Sequence, residues 1–94
     1  MDGLITHEAG THGGAFVMRD GSTQIGEMTY RLVGAAVIID HTEVDPALRG
    51  RGLARRLVDA AVGWARRDGL RITPVCAYAR LVFDRTPAYK DVRG

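Results

Sequence analysis

Ninety-four residues with one cysteine make a single small domain spanning 1–94, with no internal disulfide and no cysteine-built zinc site. Thirteen basic against 11 acidic side chains give a net charge of +2, too balanced to argue for a nucleic-acid binder. No apolar run approaches the roughly 20 residues of a membrane span, and the start, Met1-Asp-Gly-Leu-Ile-Thr-His-Glu8, lacks the blocks of a secretory signal, so no membrane partner and a cytoplasmic location are expected.

Residues 1–12 read as a loose lead-in with room for a short first strand. His7 and His12 lie in polar, glycine-rich surroundings, so solvated loop histidines are expected there and no metal site. Ala15-Phe-Val-Met18 is a short apolar strand, and Asp20-Gly21 signals a hairpin into a return strand over Gln24 to Val33. Gly34 marks a second turn. Ala35 to Val44 is then expected as the third and longest strand, with a Val-Ile-Ile core apolar on both faces, as for a strand covered on both sides.

A helix follows. Leu53, Leu57, Ala60, Ala61, Trp64 and Ala65 recur at helical spacing, while Arg55, Arg56, Asp59, Arg66 and Arg67 fill the opposite face. Gly69 is placed as a left-handed C-cap after a basic last turn. Leu70 to Cys76 forms a fourth strand, parallel to the third because a helical crossover joins them. Pro74 puts that part of the strand at an edge or where pairing stops. Tyr78 to Arg85 is a second, shorter helix ended by Pro87, with Tyr89 and Val92 folding back. The fold class is therefore α/β (α+β): antiparallel strands first, then a parallel β-α-β crossover and a C-terminal helix.

Between the third strand and the first helix lies Val44-Asp-Pro-Ala-Leu-Arg-Gly-Arg-Gly-Leu-Ala54. Gly50 and Gly52 allow a tight bend and close approach of another molecule, and the first-turn amides of the helix have no intrahelical partners. Arg49 and Arg51 add positive charge beside the positive end of the helix dipole, so a phosphate-bearing ligand fits. The plainer alternative is a glycine turn that only caps a helix.

Ligands of mixed and parallel sheets bind beyond the carboxyl ends of parallel strands. Those ends carry Asp40-His-Thr-Glu43 and Pro74-Val-Cys76. Strict alternation puts His41 and Glu43 on one face and Asp40 with Thr42 on the other. If Pro74 interrupts pairing, the end of the third strand stays free to bond a ligand with peptide-like groups. Each residue also has a plain structural role: His41 as a hydrogen-bonded half-buried histidine, Glu43 as a solvated strand end, Cys76 as a small buried hydrophobe, Tyr78 as packing.

Arg49-Gly-Arg-Gly-Leu-Ala54 resembles the Arg/Gln-x-x-Gly-x-Gly/Ala signature of GNAT-superfamily acetyltransferases. With Asp40-His-Thr-Glu-Val44, Pro74-Val-Cys-Ala-Tyr78 and the closing Pro87 to Val92 block, the chain from Phe16 onward is similar to the small GNAT-like acetyl-CoA-binding subfamily. The resemblance implies a minimal GNAT fold, with acetyl-CoA as cosubstrate or ligand and an amine acceptor it does not name. It implies that the amides of Arg49, Gly50, Arg51, Gly52, Leu53 and Ala54 hold the pyrophosphate and that extended backbone from Thr42 to Val44 pairs with the pantetheine arm. The thioester would then lie near His41 and Cys76. Ala77 stands where such proteins commonly have proline, and the short stretch before Phe16 implies a reduced or open acceptor site.

Two chemical routes are open. His41 or Glu43 could accept the amine proton while Cys76 or Tyr78 protonates the leaving sulfur. Alternatively Cys76, activated by His41, could be the nucleophile of an acetyl-enzyme. Two other classes of function stay open: a non-catalytic acetyl-CoA binder, and a small nucleic-acid module using the arginine helix, against which the lack of aromatic residues among those arginines counts.

Overall fold

The computed structural model describes residues 3–94. Five strands form one sheet in the order β1-β2-β3-β4-β5, comprising Leu4–Ala9, Gly13–Asp20, Thr23–Val33, Ala36–Val44 and Arg71–Pro74. The first four pair antiparallel and β5 runs parallel to β4, joined to it through α1, Leu53–Asp68. A second helix, α2, spans Ala77–Arg85, and a 3-10 turn, Pro87–Val92, closes the chain.

The expected order of elements is the observed one, with three differences. The lead-in is not loose: Leu4 to Ala9 pair with Gly14 to Arg19 over the full length of β1. Met1 and Asp2 lie outside the described residues. The longest strand is β3, with 11 residues against nine in β4. Val37 and Ile39 are fully buried but Ile38 only half so, because α1 covers one face of the sheet while the other carries polar side chains such as Glu8, Arg19, Thr29 and Arg31.

The core lies between that covered face and α1. Leu57, Val58, Ala61 and Ala65 supply the helix side, and Met18, Met28, Val37, Ile39 and Ile72 supply the sheet. Burying such side chains contributes roughly 1.5–3 kcal/mol each before entropy is set against it. The helix stops as its sequence requires, with Gly69 left-handed at φ 68° and its amide bonded to the Ala65 carbonyl. Tyr89 Oη donates to the Asp59 carboxylate, and Arg66 grips both oxygens of Asp91 at 2.9 and 3.0 Å. These contacts hold the closing turn on α1, and burial with the Asp59 bond pushes the Tyr89 phenol up to about 12.

His7 is a second departure from the loose reading. Its ring stacks on Phe16 at 4.2 Å between centroids, meets Trp64 edge-on, and shares a 2.6 Å hydrogen bond with Tyr30 Oη. His12, by contrast, is exposed in the turn between β1 and β2. Burial, with Arg67 nearby, holds the His7 pKa below its usual 6.5, and Asp68 offsets part of this. A base with a depressed folded pKa favours folding while neutral, so stability is present above 6.5 and falls as pH drops through that value toward the folded one. Wild-type thermal midpoints are therefore expected to fall between pH 8 and pH 5, and to fall less in His7→Gln. An equal fall in both chains would place the titration elsewhere.

Candidate functional site

The sheet opens where β4 and β5 part. They pair only from Ala36 with Arg71 to Ile39 with Pro74, and the amides of Val75 and Cys76 then both donate to the Ile39 carbonyl, at 2.9 and 3.1 Å. Pro74 thus ends the ladder on an edge strand, and β4 runs on to Val44 without β5 beside it. Next to this free stretch is a cavity of about 680 Å³, lined by His41, Thr42, Glu43, Val44, Leu48, Arg49, Gly50, Gly52, Leu53, Ala54 and Tyr78.

The turn that forms its far wall is built locally. Asp45 caps the 3-10 turn Pro46–Leu48 by accepting from the Ala47 amide at 3.0 Å, and the chain then reverses through Gly50 and Gly52, both left-handed at φ 83° and 72°. Gly52 provides no side-chain cap to α1, and no acidic residue sits in the first helical turn. Among the described residues, the amides of 50–55 donate to no backbone carbonyl; the first helical bond is Arg56 to the Gly52 carbonyl. A β-carbon at either glycine would have no heavy atom within 4 Å, so the space beside both is open, and Gly50, Gly52, Leu53 and Ala54 border the cavity. Unpaired amides, a dipole end and two exposed arginines, Arg49 and Arg51, make a cradle for an anion such as a diphosphate. The chain's own chemistry fits the coenzyme here.

The other candidates divide between the two faces of β4. A bulge pairs Tyr30 with Ile39 but Thr29 with His41, leaving Asp40 as an extra residue. Asp40 accepts from Thr29 Oγ1 at 2.6 Å instead of sharing the face of Thr42, as strict alternation would require. Thr42 faces the helices beside buried Met28, while His41 and Glu43 face the other way, 3.3 Å apart and exposed. An exposed pair of this kind contributes little to stability.

Cys76 sits on the helix side. Its Sγ accepts from the Ala79 amide at 3.4 Å as the N-cap of α2 and lies 3.4 Å from Thr42 Oγ1. The thiol is therefore paired with Thr42 and not with His41. Tyr78 lines the cavity from the first turn of α2; burial pushes its phenol pKa up, and Arg55 partly opposes this. Of the site residues expected from sequence, all line the cavity except Arg51, which is exposed, and Cys76, whose half-buried Sγ lies 3.4 Å from the lining Thr42 Oγ1. Leu48 was missed; its only signal was an apolar side chain in an otherwise polar turn. Among the described residues no group of three or more His, Cys, Asp or Glu could hold a metal ion, and no helix is long and apolar enough to cross a membrane.

The comparisons agree with this geometry. The profile of the GCN5-related N-acetyl-transferase family matches residues 15–92. Protein NATD1 of Bos taurus is 34% identical over 61 residues, 64% of this chain and 54% of the relative. The chain thus spans about half the length of such relatives. A GCN5-like protein of Staphylococcus aureus, solved by NMR, superposes with a TM-score of 0.73 at 31% identity, covering 95% of this chain and 87% of that one. The ribosomal-protein-S18-alanine N-acetyltransferase of Escherichia coli shares the fold at 16% identity and a TM-score of 0.70, over 82% of this chain and 53% of that one. A mixed sheet splayed at its one parallel pair, with a glycine turn leading into the crossover helix, is the GNAT architecture, and the chain belongs to the GCN5-related N-acetyltransferase family.

Proposed function

We propose that this chain binds acetyl-CoA in the cavity beside β4 and transfers the acetyl group to an amine. The observation that carries the proposal is the meeting, in one 680 Å³ cavity, of the unpaired amides before α1 and the free edge of β4. The amides from Gly50 to Ala54 would hold the diphosphate, while the Arg49 amide is taken by the Pro46 carbonyl and Arg49 offers its side chain instead. Thr42 to Val44 would bond the amide groups of the pantetheine arm. The coenzyme supplies an acetyl group already activated as a thioester.

The protein has to take a proton from the amine and return one to the departing sulfur. His41 and Glu43, exposed on the sheet face away from the helices, accept the first, directly or through water. Tyr78 and Cys76 stand on the other side, where a phenol pushed above its ordinary pKa of 10.0 stays protonated at neutral pH and suits an acid. The separation of His41 from Cys76 supports direct transfer over an acetyl-enzyme. The exposure of His41 and Glu43 favours one further reading, a binder that carries acetyl-CoA without turning it over.

Thermal unfolding with acetyl-CoA, and with ATP as control, tests the coenzyme site. Ligand at about one hundred times its dissociation constant stabilises by roughly 2.7 kcal/mol, a rise on the order of ten degrees for a domain of this size. No rise with acetyl-CoA, or an equal rise with ATP, would sink the proposal. A rise without turnover on any amine would leave the silent binder.

A further inference from the structure

The Cys76 sulfur is held from two elements that otherwise diverge. The α2 amide of Ala79 reaches it from one side and the β4 hydroxyl of Thr42 from the other, each at 3.4 Å. The Ala79 contact is explained by capping alone, since an N-cap side chain accepts from the first turn of its helix. The Thr42 contact is not. A strand position facing buried Met28 is served by any β-branched residue, and valine would fill the same space. What threonine adds is a half-buried hydroxyl aimed across the splay at the sulfur, from a residue that itself lines the cavity.

We propose that Thr42 is a positioning residue for Cys76: its hydroxyl donates to Sγ and, with the Ala79 amide, fixes the sulfur and stabilises it when its proton has left. This rests on the acetyl-transfer reading. In that reaction the bond from the amine nitrogen to the carbonyl carbon forms and the carbon–sulfur bond of the thioester breaks. The departing sulfur takes the Cys76 proton, and the proton lost by the amine returns to Cys76 through solvent. For a moment Cys76 is a thiolate, and two donors aimed at one sulfur favour that state.

The test follows the rate at which iodoacetamide alkylates Cys76 in wild type, Thr42→Val and Thr42→Ser, across pH, each compared with the same chain unfolded in guanidinium. Loss of one hydrogen bond to a charged sulfur is expected to slow Thr42→Val roughly tenfold at neutral pH. The deficit should close as pH rises and every thiol ionises, and Thr42→Ser should restore the rate to within about threefold. A change in access alone would be independent of pH. Thr42→Ala gives the same comparison if the valine variant does not fold. An unchanged rate in the hydroxyl-less variants, a pH-independent change, or a serine variant as slow as the valine one would overturn the proposal. Alkylation needs neither coenzyme nor turnover, so a wild-type chain that alkylates as expected but shows no acetyl-CoA shift would overturn the coenzyme reading instead.

Discussion

Leu57→Ala is expected to lower the stability of the domain by about 3 kcal/mol, and its thermal midpoint by about 12–24 °C. Leu57 is fully buried on α1, one turn beyond the glycine cradle. It is packed so closely on β3 that a β-carbon at Gly26 would stand 3.4 Å from its Cδ1 and 3.5 Å from Val44 Cγ2. The leucine therefore rests on a glycine backbone directly beneath a cavity-lining residue, where neither the strand nor the helix has a side chain to spare for filling the void. Partial relaxation is the reason the cost exceeds transfer free energy alone. Denaturant unfolding with an unchanged m-value would measure it. A loss under about 1 kcal/mol would mean that α1 settles onto the sheet, and the cavity should then narrow and the acetyl-CoA shift weaken with it.

How far such packing could be foreseen differs from element to element. The helix was legible because three local signals agreed: an apolar stripe at helical spacing, glycine before it and glycine after it. The anion cradle was legible for the same reason, with two glycines and two arginines inside six contiguous residues at the start of a helix. The first strand was not. Gly10, Gly13 and Gly14 look like looseness in a sequence, yet a β-carbon at Gly14 would collide with the Glu8 carbonyl and stand 2.8 Å from Tyr30 Oη. Those glycines are there because strands and the Tyr30 hydroxyl come close, and that closeness is tertiary.

His41 and Glu43 do face away from Thr42 as alternation expects, but the face of Asp40 differs for a related reason. Alternation has a period of two, and one bulged residue shifts everything beyond it. Asp40 is that residue, and nothing in Ile39-Asp-His-Thr42 announces it. Its consequence is chemical as well as geometric. The bulge sends His41 away from Cys76 and brings Thr42 toward it, across 34 positions of sequence that no local pattern spans. Membership of a family can place both residues near a thioester, but only the register of β3 on β4 decides which of them the thiol meets.

Gly52→Val is expected to weaken binding of coenzyme A roughly tenfold to a hundredfold, the worth of one hydrogen bond to a charged group. Gly52 precedes α1 at φ 72°, a conformation that costs an L-residue roughly 1–2 kcal/mol and a β-branched one more. The variant relieves that strain by rotating the backbone, which swings the Leu53 and Ala54 amides out of line, and its side chain enters space that is now open. Gly63→Ala is the matched control in the same helix. There a β-carbon meets only Arg67 Nη1 at 4.0 Å, so the change should add up to about 1 kcal/mol of stability and leave binding alone. Titration calorimetry with coenzyme A and with pantetheine, which lacks the diphosphate, separates the causes. A deficit confined to coenzyme A assigns the diphosphate to the glycine turn. A deficit of the same size on pantetheine would move the damage to the β4 edge, and no deficit at all would leave the glycines as a helix cap and nothing more.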